Sequence, residues 1–176
     1  RLRGEIEASV LQGYSNKAHD GYLGHAWLGT WVNLGAMTTN SDLKNDYSPV
    51  QVPLGGQPIN TGETKIGCFV GDHTKTALCS LFNTGSVIGV MSLILPGGGL
   101  LPKHIPSFSR YWNGRIEDLP DGVDSLLEAA RVSLHRRGRT FTTSQETLLR
   151  ALHQQTAAER QFAIERSQSR AQNRTS

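Results

Sequence analysis

Between Gly13 and Asp46 the chain concentrates the side chains needed for proton transfer and anion binding: Lys17, His19, Asp20, Tyr22, Asn33 and Lys44. An amine arrives largely as ammonium, which is not a nucleophile. A base titrating near neutrality must take its proton as the nitrogen attacks, and His19 is the side chain suited to that. Asp20 beside it can orient another group, although neighbouring strand residues face opposite sides. Lysines balance phosphate charge, and glycine-rich turns offer backbone N–H groups to a developing oxyanion. Each residue also has a plainer reading. His19 can be a solvated turn residue, Tyr22 a packing residue, Asn33 part of an amide stack, and Lys17 and Lys44 surface charge.

The elements that must position these groups follow a repeat of six. From Tyr22 the blocks are YLGHAW, LGTWVN and LGAMTT. From Thr64 they resume as TKIGCF, VGDHTK, TALCSL, FNTGSV and IGVMSL. The fifth positions are Ala26, Val32, Thr38, Cys68, Thr74, Ser80, Ser86 and Ser92, all small or β-branched. Each hexad predicts one short strand and a turn, and three hexads close one coil of a triangular prism. The first position fills the interior, and the fifth must fit a tight corner. Glycine follows the aliphatic residue, where a sharp bend is expected. The fold class is therefore mainly β, a left-handed parallel β-helix of hexapeptide repeats. Nineteen glycines with only 7% aromatic residues suit such a thin, repetitive body.

The frame is unreadable between Thr39 and Glu63, where turn formers predict a long loop, or a small hairpin, thrown out from the coils. After Pro96 the repeat stops, and PGGGLLPKHIPSF reads as an extended cap. The β-helix is thus expected over residues 1–110, with the insertion at about 39–63, and a helical extension over 111–176. Val123, Leu126, Leu127, Ala130 and Leu134 fall at helical spacing. Gly138 is a C-terminal stop, and Thr143 with Glu146 reads as a capping box. The closing SQSRAQNRTS is expected to be frayed.

The formal charge of +3 allows an anionic small ligand, and no basic run interleaved with aromatics argues for nucleic acid. The apolar stretch Val87–Leu95 is too short to span a bilayer, and no signal-peptide pattern opens the chain. Cys68 and Cys79 lack metal spacing and are expected as free thiols in the cytoplasm. The chain begins at Arg1 and reads as a fragment or processed form.

The run GYSNKAHDGYLG, followed by NLGA and TNSDLKN, resembles the acetyltransferase half of the bifunctional enzymes that make UDP-N-acetylglucosamine, in a variant branch. The likeness covers roughly residues 1–110, and ARVSLHRRGRTFT in the tail is similar to that branch as well. The resemblance implies acetyl transfer from acetyl-CoA to the amine of a sugar phosphate, most simply glucosamine 1-phosphate. It implies His19 as the base, Tyr22 and Asn33 as sugar-phosphate contacts, and Ala36 as a backbone position lining the acetyl-CoA site. Lys44 resembles a loop lysine that reaches a neighbouring subunit. The basic pair that holds phosphate in the better-known branch is not evident before Lys17, and Lys17 is the substitute. The resemblance further implies a homotrimer, no metal in this domain, and a nucleotidyltransferase domain preceding Arg1.

Two other functions compete. His19, His25 and His73 share the fourth hexad position, which suggests a zinc site of the β-helix carbonic anhydrase kind. Successive hexads lie on adjacent prism faces, however, which is poor ligand geometry within one chain. Alternatively, the coils are a non-catalytic trimerisation or regulatory platform.

Overall fold

In the computed structural model, which describes residues 1–172, short parallel strands stack into a β-helix and three helices follow. Face one is a five-stranded parallel sheet of Val10–Leu11, Trp27–Leu28, Phe69–Val70, Val87–Ile88 and His104–Ile105. Face two stacks Asn16, Asn33, Lys75, Leu93 and Arg110 in register. Face three carries Glu5–Glu7 against Tyr22–Gly24, then Thr39–Asn40 against Leu81–Phe82, and then Leu100. Partners such as Val10 and Trp27, or Phe69 and Val87, are 17 or 18 residues apart, one coil.

The interior follows the hexads. Leu28, Leu34, Val70, Phe82 and Ile88 at first positions are buried, as is every fifth position from Ala26 to Ser92. The reason for hydroxyls at the fifth position is polar as well as steric. Ser80, Ser86 and Ser92 each donate to the carbonyl three residues back, at 2.8, 2.9 and 3.1 Å. A buried carbonyl at the corner is thereby satisfied where no strand partner exists.

The sharp bend sits elsewhere than the glycine. Tyr14, His25, Trp31, Met37, His73, Cys79 and Met91 adopt φ between 48° and 64°, and all but Tyr14 sit at the fourth position of a hexad in the Tyr22 frame. Each corner is tied to the coil below. The Trp31, His73 and Met91 N–H groups donate to the Gly13, Thr30 and Asp72 carbonyls at 3.2, 2.8 and 2.8 Å. The second-position glycines are needed for close approach instead. A Cβ on Gly71 would stand 2.6 Å from the Val90 nitrogen and 2.7 Å from the Gly89 carbonyl carbon.

Two expectations are corrected. First, the first block is out of frame: Leu23 is the interior residue and Tyr22 is half-buried at the surface. Leu23 and Leu28 are five residues apart, a shortened hexad that the fixed repeat misassigns. Asn40 repairs it: its side-chain amide donates to the Gly24 carbonyl and its oxygen accepts from the Gly24 N–H, at 2.9 and 2.8 Å. Second, the repeat continues past Pro96. Ile105-Pro106-Ser107-Phe108-Ser109-Arg110 is another hexad, with Ile105 and Ser109 fully buried and Phe108 at φ 57°. Proline at its second position hid it. Of the two readings of the insertion, the small hairpin is the one that forms: Gln51–Leu54 pairs antiparallel with Gln57–Asn60.

The helices are α1 (Gly122–His135), α2 (Thr143–Gln155) and α3 (Ala157–Gln172). α1 buries Leu126, Leu127, Ala130 and Leu134. The capping box of α2 is one residue earlier than the sequence suggested, Thr142 with Gln145, because Thr142 is the residue with extended backbone. Residues expected to fray are helical through Gln172, and those after it lie outside the described residues. The helices sit on the edge where faces one and two meet. Met91 and Phe108 from that edge pack with Leu119, Leu126, Leu127, Ala130 and Leu149. Among the described residues, no helix is long and apolar enough to cross a membrane.

Lower on the same edge the corner residues form an aromatic ladder. Tyr14 stacks on Trp31 at 4.3 Å between centroids, and Trp31 stands over His73 at 6.2 Å. His73 is buried, its Nδ1 has no partner, and burial followed by the charge of Lys75 pushes its pKa down to about 4.

Two outcomes follow. Gly71→Ala should lower stability by about 1–3 kcal/mol, read as a lower urea midpoint, since backbone rather than a side chain blocks the new methyl. His73 should make stability pH-dependent. An unfolded chain takes up its proton near pH 6.5 while the folded chain resists until about pH 4. Stability should therefore be full above pH 6.5 and fall as pH drops through that window. His73→Phe should flatten the profile there in a series of denaturant titrations.

Candidate functional site

His19 stands at the edge between faces two and three, in the turn joining Asn16 to Tyr22. It is exposed, and among the described residues its ring makes no hydrogen bond. Tyr22 begins face three on one side of this edge, and Asn33 lies on face two on the other side. One coil further on, the same edge carries Ala36 and Met37. The Met37 N–H donates to the Asp20 carbonyl at 2.9 Å, and the Ala36 carbonyl accepts from Cys79 at 2.7 Å. The Ala36 N–H has no partner among the described residues, so a backbone donor remains free beside the edge.

The remaining expected residues have partners within the chain. Lys17 is not available to a ligand. It occupies an interior first position, is 1% exposed, and its ammonium donates to the His19 and Arg3 carbonyls. Burial lowers its pKa and the nearby charge of Asp20 opposes that shift. A side chain long enough to reach phosphate from the surface is here turned inward to fill the prism and tie the His19 turn. Lys44 folds back on its own loop, donating to the Ser48 hydroxyl at 2.6 Å and the Pro49 carbonyl at 3.0 Å. Asn33 accepts from the Asn16 amide at 2.8 Å, an amide stack between coils. Among these six residues, Lys17 and His19 are the pair joined by a direct hydrogen bond in the described structure. The three histidines of the zinc reading stand on three different edges. Among the described residues, no three His, Cys, Asp or Glu side chains gather into a group able to hold a metal.

Tyr22 brings in a residue the sequence reading passed over. Its hydroxyl donates to Asp42 at 2.9 Å and approaches Glu7 at 3.3 Å. His25 Nδ1 lies 2.7 Å from the same Asp42 oxygen. Burial first, then hydrogen bonds and charge from Asp42 and Glu7, raise the Tyr22 pKa well above its ordinary value, so the phenol is a fixed proton donor. Asp42 is buried and thus holds a tyrosine and a histidine by one carboxylate.

Comparison with known proteins bears on this arrangement. No protein-family model matches the chain. A bifunctional sugar-1-phosphate nucleotidylyltransferase/acetyltransferase of Sulfurisphaera tokodaii is 33% identical over 93 residues, 53% of this chain and 23% of the relative. A bifunctional protein GlmU of Methanococcus maripaludis is 33% identical over 90 residues, covering 51% and 22%. That of Methanocaldococcus jannaschii is 28% identical over 85 residues, covering 48% and 21%. The homologues of this chain are bifunctional nucleotidylyltransferase/acetyltransferase proteins. The chain spans under a quarter of the length of these relatives.

Against these GlmU-like relatives, the signal that would have found Asp42 is the coil repeat itself. Asn33 stands above Asn16 by 17 residues. The same step from His25 reaches position 42. The insertion begins just after it, which made the segment look like loop. Asp42→Asn should lower the phenol pKa of Tyr22, since it removes the hydrogen-bonded charge that raises it. A tyrosinate titration followed in the ultraviolet would report this, and an unmoved titration would mean that Asp42 does not hold the phenol.

Proposed function

We propose that this chain transfers an acetyl group from acetyl-CoA to the amine of a sugar phosphate, with glucosamine 1-phosphate as the acceptor. The single observation that carries this reading is the edge at His19. An exposed, unengaged imidazole lies between the two faces that present Tyr22 and Asn33, and a free backbone N–H lies one coil away at Ala36. The names of the relatives, a nucleotidylyltransferase/acetyltransferase and a bifunctional GlmU, support the same class of reaction.

In this mechanism His19 takes a proton from the acceptor ammonium as its nitrogen attacks the thioester carbonyl. A C–N bond forms, the carbonyl becomes a tetrahedral oxyanion, and the Ala36 N–H is the donor that meets it. Collapse breaks the C–S bond, the nitrogen gives up its second proton to the departing thiolate, which leaves as coenzyme A, and His19 releases the proton it took to water. Tyr22 presents its hydroxyl to the sugar while Asp42 fixes its direction. Acceptor and donor meet along one edge, which is open to a neighbouring copy. The assembly we propose is a homotrimer, and the parent protein carries a nucleotidyltransferase domain in addition. A purely structural β-helix would not need the unengaged histidine.

His19→Ala should lower kcat by about 10²- to 10⁴-fold. The KM for acetyl-CoA should stay unchanged, and the loss should shrink at high pH, where free amine is abundant. The fold should persist, because His19 is an exposed turn residue. Full turnover of glucosamine 1-phosphate by the variant, beside an active parent chain, would rule His19 out as the base.

A further inference from the structure

With Lys17 turned into the prism, the phosphate of a ligand needs another cation. The structure offers one in a cleft of about 500 Å³ between face two and the C-terminal end of α1. We propose that this cleft binds the phosphate of the substrate, and that Arg136 and Arg137 of the helical appendage supply the charge. The assignment of the ligand as a substrate rests on the acetyl-transfer reading. The binding of a phosphate-bearing anion does not.

The cleft is lined by donors. Asn33 lines it, and its oxygen is already taken by the Asn16 amide, which leaves the Asn33 NH₂ to point at a ligand. Tyr14 and Trp31 also line it. Their ring faces are stacked on each other with 4° between planes, so they present edges. The aromatic edge carries positive partial charge, and the phenol O–H and indole N–H are further donors. The Arg139 guanidinium lies over the Tyr14 ring, 5.4 Å from its centroid. Lys75 reaches the cleft from face two and spends one weak hydrogen bond, at 3.4 Å, on the His73 carbonyl.

The charge at this site is also uncompensated, unlike that of Arg131 and Arg150 on the same pair of helices. Arg131 on α1 pairs with Glu128 and Glu146 at 2.9 and 3.0 Å. Arg150 on α2 pairs with Asp124 and Glu146 at 2.6 and 2.8 Å. Among the described residues, Arg136, Arg137 and Arg139 pair with no carboxylate, and no Asp or Glu lines the cleft. Guanidinium groups meet phosphate oxygens through paired N–H bonds. A cleft of this volume takes a sugar phosphate or the nucleotide part of coenzyme A.

The test is calorimetric titration of the chain with glucosamine 1-phosphate, coenzyme A and, as the control without phosphate, glucosamine. At least one phosphate ligand should bind where glucosamine does not. R136E/R137E should weaken that binding by ~10-fold or more, and R136K/R137K should recover most of it by keeping the charge. Loss confined to glucosamine 1-phosphate assigns the acceptor's phosphate to the cleft, and loss confined to coenzyme A assigns the donor's. Phosphate ligands that bind R136E/R137E as tightly as the parent, or no better than glucosamine binds the parent, overturn the proposal. Circular dichroism of R136E/R137E checks that the helices remain. Arginine-dependent binding without acetyl transfer would remove the functional reading and leave this site standing.

Discussion

The left-handed corner residue is the constraint on which the rest of the molecule depends. A side chain at positive φ is strained in most proteins, yet here His25, Trp31, Met37, His73, Cys79 and Met91 adopt it in turn. Three local devices hold the conformation in place. The corner N–H bonds to the coil below. The fifth-position hydroxyl bonds the carbonyl three residues back. The second-position glycine lets coils approach until both bonds are short. Only a stacked solenoid offers all three at once, so the corners and the stacking stabilise each other.

Corner side chains necessarily point outward, and this makes the edges the chemically active parts of the prism. The edge between faces one and two carries Tyr14, Trp31, His73, Met91 and Phe108. Its upper part is apolar and seats the helices, while its lower part remains an aromatic ladder beside a cationic cleft. The edge between faces two and three carries His19 and Ala36. The third edge carries His25 and the insertion, with Asp42 joining His25 to Tyr22. One repeat thus serves as foundation, reaction edge and polar anchor, according to which residue type occupies its corner.

Polar residues inside the prism mark its irregular places. Lys17 and Asn40 sit at interior positions that aliphatic residues fill elsewhere. Asn40 binds the Gly24 backbone where a hexad is one residue short, and Lys17 ties two carbonyls in the first coils. Each replaces hydrophobic packing with hydrogen bonds to backbone groups. The consequence reaches the site, because the Lys17 ammonium holds the turn that carries His19.

The solenoid was legible in the sequence because its determinants are local. Hexads from Leu28 onward, the small fifth positions and the apolar stripe of α1 are set by steric demands within a few residues. The same locality explains the errors. A five-residue step at Leu23, a proline at the second position of the Ile105 hexad and a capping threonine one place early all break a fixed count without breaking the fold. Residue types near His19 were legible as well, but their company was not. Asp42 beside His25, Lys17 inside rather than outside, and Arg136 and Arg137 across one cleft from Asn33 are placements between coils, or between coil and helix. They depend on where successive turns land and on which edge the helices cover, so only the assembled tertiary structure decided them.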